Sequence, residues 1–282
     1  MPIHPTAIVD RQAEIDPSAD IGPYAVVEGP VRIGARTKLQ AHAFVNGWTT
    51  IGQDCDIHPF AVIGNLPQDF HYSGERSFCR IGDRVVVREG ATVHRGTQPE
   101  SATVVGDECL LMAYAHVGHN CLLEPGVKVY NMTALSGHVE VGAQAIISGY
   151  VLVHQFVRIG RLAFIAAQAR LGMDVPPFMT AMGESTIVQY NVIGMRRAGY
   201  GKEDIAEIRR IHRILYRSGH LYSRAVEQAA REASTRAGRE LVAFLQAPSR
   251  RGHCVGGRHF RARFHAAHPD EHAADMHEAT AD

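Results

Sequence analysis

The sequence predicts an all-β parallel β-helix of hexapeptide repeats, followed by a small α-helical C-terminal domain. Three observations carry this. An aliphatic residue recurs at every sixth position for most of the chain, the series breaks at only two places, and after Pro176 and Pro177 the period falls to a helical one. No α-helix repeats every six residues and an ordinary strand repeats every two, whereas six is the repeat of short strands coiled around one apolar axis.

The coil is expected over residues 1–177. Its aliphatic series runs from Ile3 through Val9, Ile15 and Ile21 to Ile63, resumes at Ile81, Val87 and Val93, and continues unbroken from Val105 to Leu171. The position four residues further on holds small side chains such as Ala7, Ala13, Ala19, Ala25, Ala43 and Ala61. Cys55, Cys109 and Cys121 share that phase, so they read as small core fillers in a reducing compartment. The first interruption, at about 64–80, contains Pro67, Asp69, His71 and Gly74, and the second spans about 98–103. Loops leaving a rigid coil at isolated points are more often functional than not.

A helical domain is expected over 184–247. Ile187, Asn191, Gly194, Met195 and Ala198 suggest a first helix, and Lys202 to Arg217 a second, with Ile205, Ile208, Ile211 and Leu215 on one face. Leu221–Ala233 and Ala237–Leu245 complete it. Residues 248–282 are rich in arginine and histidine without a usable period, and a disordered extension is expected there.

Composition narrows the function. Lysine plus arginine (29) equals aspartate plus glutamate (29), so no global field recruits nucleic acid or an anionic membrane. No apolar run approaches the roughly 20 residues of a membrane span, and a cytoplasmic, non-membrane protein is expected.

Three hexapeptides make one triangular coil, so residues eighteen apart stack at the strand spacing of ~4.8 Å. The blocks beginning at Val117, Leu135 and Val153 form one column. His119, His138 and His154 belong to it, and His116 closes the preceding block. The axis is filled by aliphatic side chains, so any site lies outside, in a groove walled by another copy of the chain. This suggests a homotrimer with sites between subunits.

With these features in place, the chain resembles the acyl-ACP:UDP-N-acetylglucosamine O-acyltransferase family of lipid A synthesis over residues 1 to about 247. The resemblance rests on Gly64-Asn65-Leu66-Pro67-Gln68-Asp69, Val93-His94-Arg95-Gly96-Thr97, the run from Leu111 to Cys121, Ser136-Gly137-His138-Val139, His154-Gln155-Phe156, Asp174-Val175-Pro176-Pro177, and the run from Asn191 to Gly199.

The resemblance implies a left-handed coil, and transfer of a 3-hydroxyacyl group from acyl carrier protein to the 3-position of UDP-N-acetylglucosamine with no cofactor or metal. It implies His119 as general base and the Gly137 N–H as oxyanion donor. Asp69, His71, His116, His138, His154, Gln155, Asn191 and Arg197 match substrate-contacting positions, and His71 stands where the family carries lysine. Ala167 matches the position that sets acyl-chain length. The basic runs Arg196-Arg197 and Arg209-Arg210-Ile211-His212-Arg213 suit an acidic carrier protein, and the second reads equally as an ordinary helix surface. The alternatives are another hexapeptide acyltransferase using acetyl-CoA, a γ-type zinc carbonic anhydrase with ligands from His116, His119 and His138, or a catalytically silent scaffold. Whether the acceptor carries a 3-hydroxyl or a 3-amino group stays open at this point.

Overall fold

The computed structural model describes residues 3–256, and the greater part of the expected disordered tail, 257–282, lies outside them. The chain winds through short strands that stack into three parallel faces. The first face has nine strands, from Ile8–Val9 to Arg170–Leu171; the second has eight, from Glu14–Ile15 to Arg158–Ile159; the third begins at Asp20–Ile21. Each strand contributes one inward aliphatic to the axis. Leu111, Leu123, Leu135, Ile147, Ile159 and Ile165 are fully buried there, each worth about 1.5–3 kcal/mol of apolar burial.

The cysteines behave as fillers. All five are buried free thiols. Burial pushes the Cys121 thiol up to about 12 and the Cys109 thiol up to about 11, and their Sγ atoms lie against the carbonyls of Ser136 and Glu124 on the next coil. A buried thiol held protonated is not a nucleophile.

Pro176 and Pro177 close the last regular corner. Met179–Met182 then adds one more parallel rung to the third face beside Phe164–Ile165. The helical period expected from 184 fails over its first residues. Thr186–Tyr190 is a strand antiparallel to Met179–Met182, in keeping with its β-branched Thr186-Ile187-Val188 run.

Four helices follow: α1 (Val192–Arg197), α2 (Lys202–Arg217), α3 (Tyr222–Glu232) and α4 (Arg236–Gln246). Ile208, Ile211 and Leu215 of α2 are buried against the end of the coil. Glu207, also buried, accepts the backbone N–H and hydroxyl of both Ser234 and Thr235, tying α2 to the turn before α4.

The beginning of the expected tail is ordered. Residues 248–256 fold back from α4 onto the coil, and Val255–Gly256 pairs in parallel with Thr186–Tyr190. Asp174 N–H donates to Gly252 O at 2.8 Å, Cys254 N–H donates to Asp174 O at 2.8 Å, and Cys254 is wholly buried. A segment with so few apolar residues carries no period. Its anchorage is backbone pairing, one buried cysteine and the Arg251 Nε bond to Gly172 O.

Candidate active site

The site occupies the corner where the chain passes from the first face to the second. Register places it there: Val93 pairs with Val117, Val117 with Leu135 and Leu135 with Val153. The residues just past those strands therefore stack on one corner. Both interruptions of the repeat leave from this corner as well. Asn120, His138 and Phe156 turn it with φ of 58°, 60° and 65°. Asparagine tolerates that left-handed conformation better than most residues, and the other two are held by stacking.

His119 is buried, and its ring lies on the face of Gly137, where a side chain would overlap Nε2 and Cε1. Its Nδ1 lies 3.0 Å from Asn120 Oδ1. That oxygen also accepts the Thr97 N–H at 3.0 Å, which fixes it as an acceptor. Nδ1 must then be the donor, and in the neutral ring the lone pair falls on Nε2.

Nε2 faces Asp69 of the first loop, with Oδ2 at 3.7 Å. The backbone N–H of His71 and then its ring bring the Asp69 carboxyl down to about 2, so a carboxylate stands beside the imidazole. The Gly137 N–H finds no acceptor among the described residues.

The other imidazoles are held near neutrality of charge. Burial, with His116 and His119 adding, brings His94 down to about 4. Burial, with His119 adding, lowers His116, whose Nδ1 lies 2.7 Å from Thr92 Oγ1. Burial, then His119 and Arg250, lowers His138. The rings of His119 and His138 meet edge-on at 5.2 Å, and Phe156 stacks on His138 at 4.7 Å.

Among the sequence candidates, Asp69, His116, His119, Gly137 and His138 converge here. His154 and Gln155 lie exposed on the next coil of the same corner. His71 turns its ring outward and serves to hold Asp69, at 2.9 Å.

Three candidates lie elsewhere in the chain. Ala167 is exposed at the corner between the third and first faces, across the first face from His119. Asn191 caps α1 by accepting the Gly194 N–H and donates to Leu162 O at 2.8 Å, at the corner between the second and third faces. Its amide is thus engaged in building the fold. Arg197 is exposed on the same short helix. No single chain brings Ala167, Asn191 or Arg197 to His119.

Two site residues were not singled out from the sequence. His94 meets His116 edge-on at 4.9 Å. It escaped because Thr92 pairs with His116 twenty-four residues on, not eighteen, once the second interruption intervenes. Asn120 lies inside the Leu111–Cys121 run, where an amide beside an imidazole is a recognisable orienting pair. Among the described residues no three His, Cys, Asp or Glu side chains are arranged to hold a metal ion, and no helix is long and apolar enough to cross a membrane.

A hexapeptide coil with an oriented imidazole on an outer corner, a carboxylate beside it and a free N–H across from it defines a hexapeptide-repeat acyltransferase. An acyl-[acyl-carrier-protein]–UDP-N-acetylglucosamine O-acyltransferase of Gloeothece citriformis is 45% identical over 228 residues, covering 80% of this chain and 83% of that one; its counterpart in Stutzerimonas stutzeri is 40% identical over 234 residues, covering 82% and 91%. This chain belongs to that O-acyltransferase family.

A family model described as Udp N-acetylglucosamine O-acyltransferase, domain 2, matches residues 174–254. It extends into the ordered strap after α4. The crystal structure of UDP-N-acetylglucosamine acyltransferase from Francisella novicida superposes with a TM-score of 0.87 at 35% identity, covering 90% of this chain and 94% of that one. LpxA from Acinetobacter baumannii superposes with a TM-score of 0.86 at 34% identity, covering 90% and 99%. The coil is left-handed, as in these neighbours, against the right-handed rule for most parallel crossovers.

Proposed function

We propose that this enzyme moves a 3-hydroxyacyl group from acyl carrier protein to the glucosamine 3-hydroxyl of UDP-N-acetylglucosamine, the first step of lipid A biosynthesis, by direct transfer. The observation that carries the mechanism is the commitment of His119 Nδ1 to Asn120 Oδ1, which leaves Nε2 as the base. Nε2 takes the sugar hydroxyl proton as the oxygen attacks the thioester carbon. The tetrahedral oxyanion accepts the Gly137 N–H. Collapse expels the pantetheine thiolate, which takes the proton back from the imidazolium. Asp69 favours the transient imidazolium. The balance needs no cofactor, and the protonated, buried cysteines offer no thiolate for a thioester acyl-enzyme.

The assembly we infer is a homotrimer. Tyr24, Phe60, Tyr114, Met132 and Tyr150 line the corner between the third and first faces, each 45–63% exposed. Phe70, at the tip of the first loop, is fully exposed. The apolar row along that corner, with Phe70 on the loop at the opposite corner of the first face, argues for a covering partner. A neighbouring copy laid there would bring its His119 corner to Ala167, and, where it also spans the end of the third face, to Asn191 and Arg197 on α1. There Ala167 would limit chain length, while His138, His154, Gln155 and Arg197 would contact the sugar nucleotide or the pantetheine arm. The free thiols support a cytoplasmic setting.

The test is UDP-N-acetylglucosamine incubated with a panel of 3-hydroxyacyl carrier proteins, the product being identified by mass. Replacing His119 with alanine is expected to lower acyl transfer by about 10²–10⁴-fold. An unchanged rate would remove His119 from the chemistry. Preference for a 3-amino sugar, giving an amide, would reassign the acceptor.

A further inference from the structure

The strap that returns from α4 carries Arg250 to the active-site corner. The backbone on either side of it is fixed. Ser249 Oγ accepts the Arg251 N–H at 3.1 Å, Arg251 Nε donates to Gly172 O at 3.0 Å, and Gly252 O accepts the Asp174 N–H. The Arg250 guanidinium lies over the Phe156 ring, 4.6 Å from its centroid. Phe156 stacks on His138, and His138 meets His119. Arg250 is thus the outermost layer of a stack that ends at the proposed base.

Its donors are uncommitted. Among the described residues Arg250 makes no ion pair and no side-chain hydrogen bond, and the residue is exposed. Arg251, one residue on, spends its Nε on the coil. A guanidinium that stacks by one face keeps its edge free. A planar edge of N–H donors matches two oxygens of a phosphoryl group. Both substrates of the proposed reaction carry one: the diphosphate of the sugar nucleotide and the phosphodiester of the carrier's pantetheine arm.

We propose that Arg250 binds a substrate phosphoryl group at the mouth of the groove, making the C-terminal strap part of the binding site. This rests on the acyl-transfer reading above.

The test uses the full chain and the variants Arg250→Gln and Arg250→Lys. KM and kcat are measured for each substrate in turn, and dissociation constants are measured by calorimetry for UDP and for 4′-phosphopantetheine. Arg250→Gln is expected to raise the KM for one phosphorylated substrate about tenfold, the loss of one charge-assisted contact. The expected kcat stays within about twofold and Arg250→Lys regains part of the loss, since charge returns without the fork. A raised KM for UDP-N-acetylglucosamine with weaker UDP binding assigns the diphosphate. A raised KM for the acyl carrier protein with weaker phosphopantetheine binding assigns the carrier. Unchanged KM and dissociation constants would overturn the proposal. So would a fall in kcat alone, which would reduce Arg250 to a prop for Phe156. If the unaltered protein acylates nothing yet binds UDP in a way that Arg250→Gln weakens, the anion site stands and the acyl-transfer reading fails.

Discussion

Asn120 Oδ1 stands 3.0 Å from His119 Nδ1 and takes the Thr97 N–H at the same distance. One amide oxygen therefore ties the imidazole to the loop base and selects its tautomer. Asn120→Ala frees the ring to rotate and to place its proton on either nitrogen. The expected loss in kcat/KM is about 10–100-fold, with the fold intact by circular dichroism. Asn120→Asp keeps the acceptor and adds a charge that favours the imidazolium, so the acidic limb of the pH–rate profile moves to higher pH. A limb that stays in place would show that the contact does not govern the base.

Gly137 is required by the ring that lies on it. A methyl there would overlap Nε2 and Cε1 of His119. The backbone of Gly137 is not in the left-handed region, so it accepts alanine and the damage falls on the imidazole and the proposed oxyanion donor. Gly137→Ala is expected to lower kcat at least ~100-fold. Wild-type turnover in this variant would exclude the Gly137 N–H from the reaction.

Acid should weaken the fold through buried histidines. Burial, with His116 and His119 adding, brings His94 from the ordinary 6.5 down to about 4; burial, with Arg217 adding, does the same to His212. Folded values below the unfolded one mean that the unfolded chain binds more protons between pH 4 and 6.5. Stability therefore falls as pH drops through that window, by about 2 kcal/mol per group at pH 5. Urea unfolding at pH 7, 6 and 5 measures this. His212→Leu should remove about one group's share, and an unchanged slope would contradict the assignment.

Ala167 presents one methyl at its exposed corner. Ala167→Gly is expected to shift kcat/KM towards longer acyl chains by about fourfold, near the ~0.8 kcal/mol of one methylene. Competition between carrier proteins bearing chains two carbons apart reads this directly, and an unaltered preference would place the end of the groove elsewhere.

Much of this was legible before any coordinates. The every-sixth aliphatics are the residues that line the axis, as Leu111, Leu123 and Leu135 show, because a period of six admits one geometry. The eighteen-residue stack put His119 and His138 together for the same reason. His94 was lost because the count of eighteen fails across an interruption. The helical spacing of Ile187 and Asn191 is coincidental, and antiparallel pairing with Met179–Met182 decides the form of Thr186–Tyr190. The strap at 248–256 carries no sequence signal because it is held by backbone pairing, Cys254 and the Arg251 guanidinium, none of which leaves a periodic mark. The distance between Ala167 and His119 is a property of the prism, since two corners of one face need a second copy to meet.

Spacing along the first face has a further consequence. Phe44 pairs with Val62 after eighteen residues, Val62 with Thr92 after thirty, and Thr92 with His116 after twenty-four. Each interval is a whole multiple of six. Extra length therefore enters as complete hexads and leaves every later side chain on its own side of the spool. Losing a single residue mid-coil would instead rotate all that follows, sending aliphatics outward and polar groups onto the axis. An excursion of twelve residues grafted after His154 could raise another rampart above the imidazoles without touching the thread beneath.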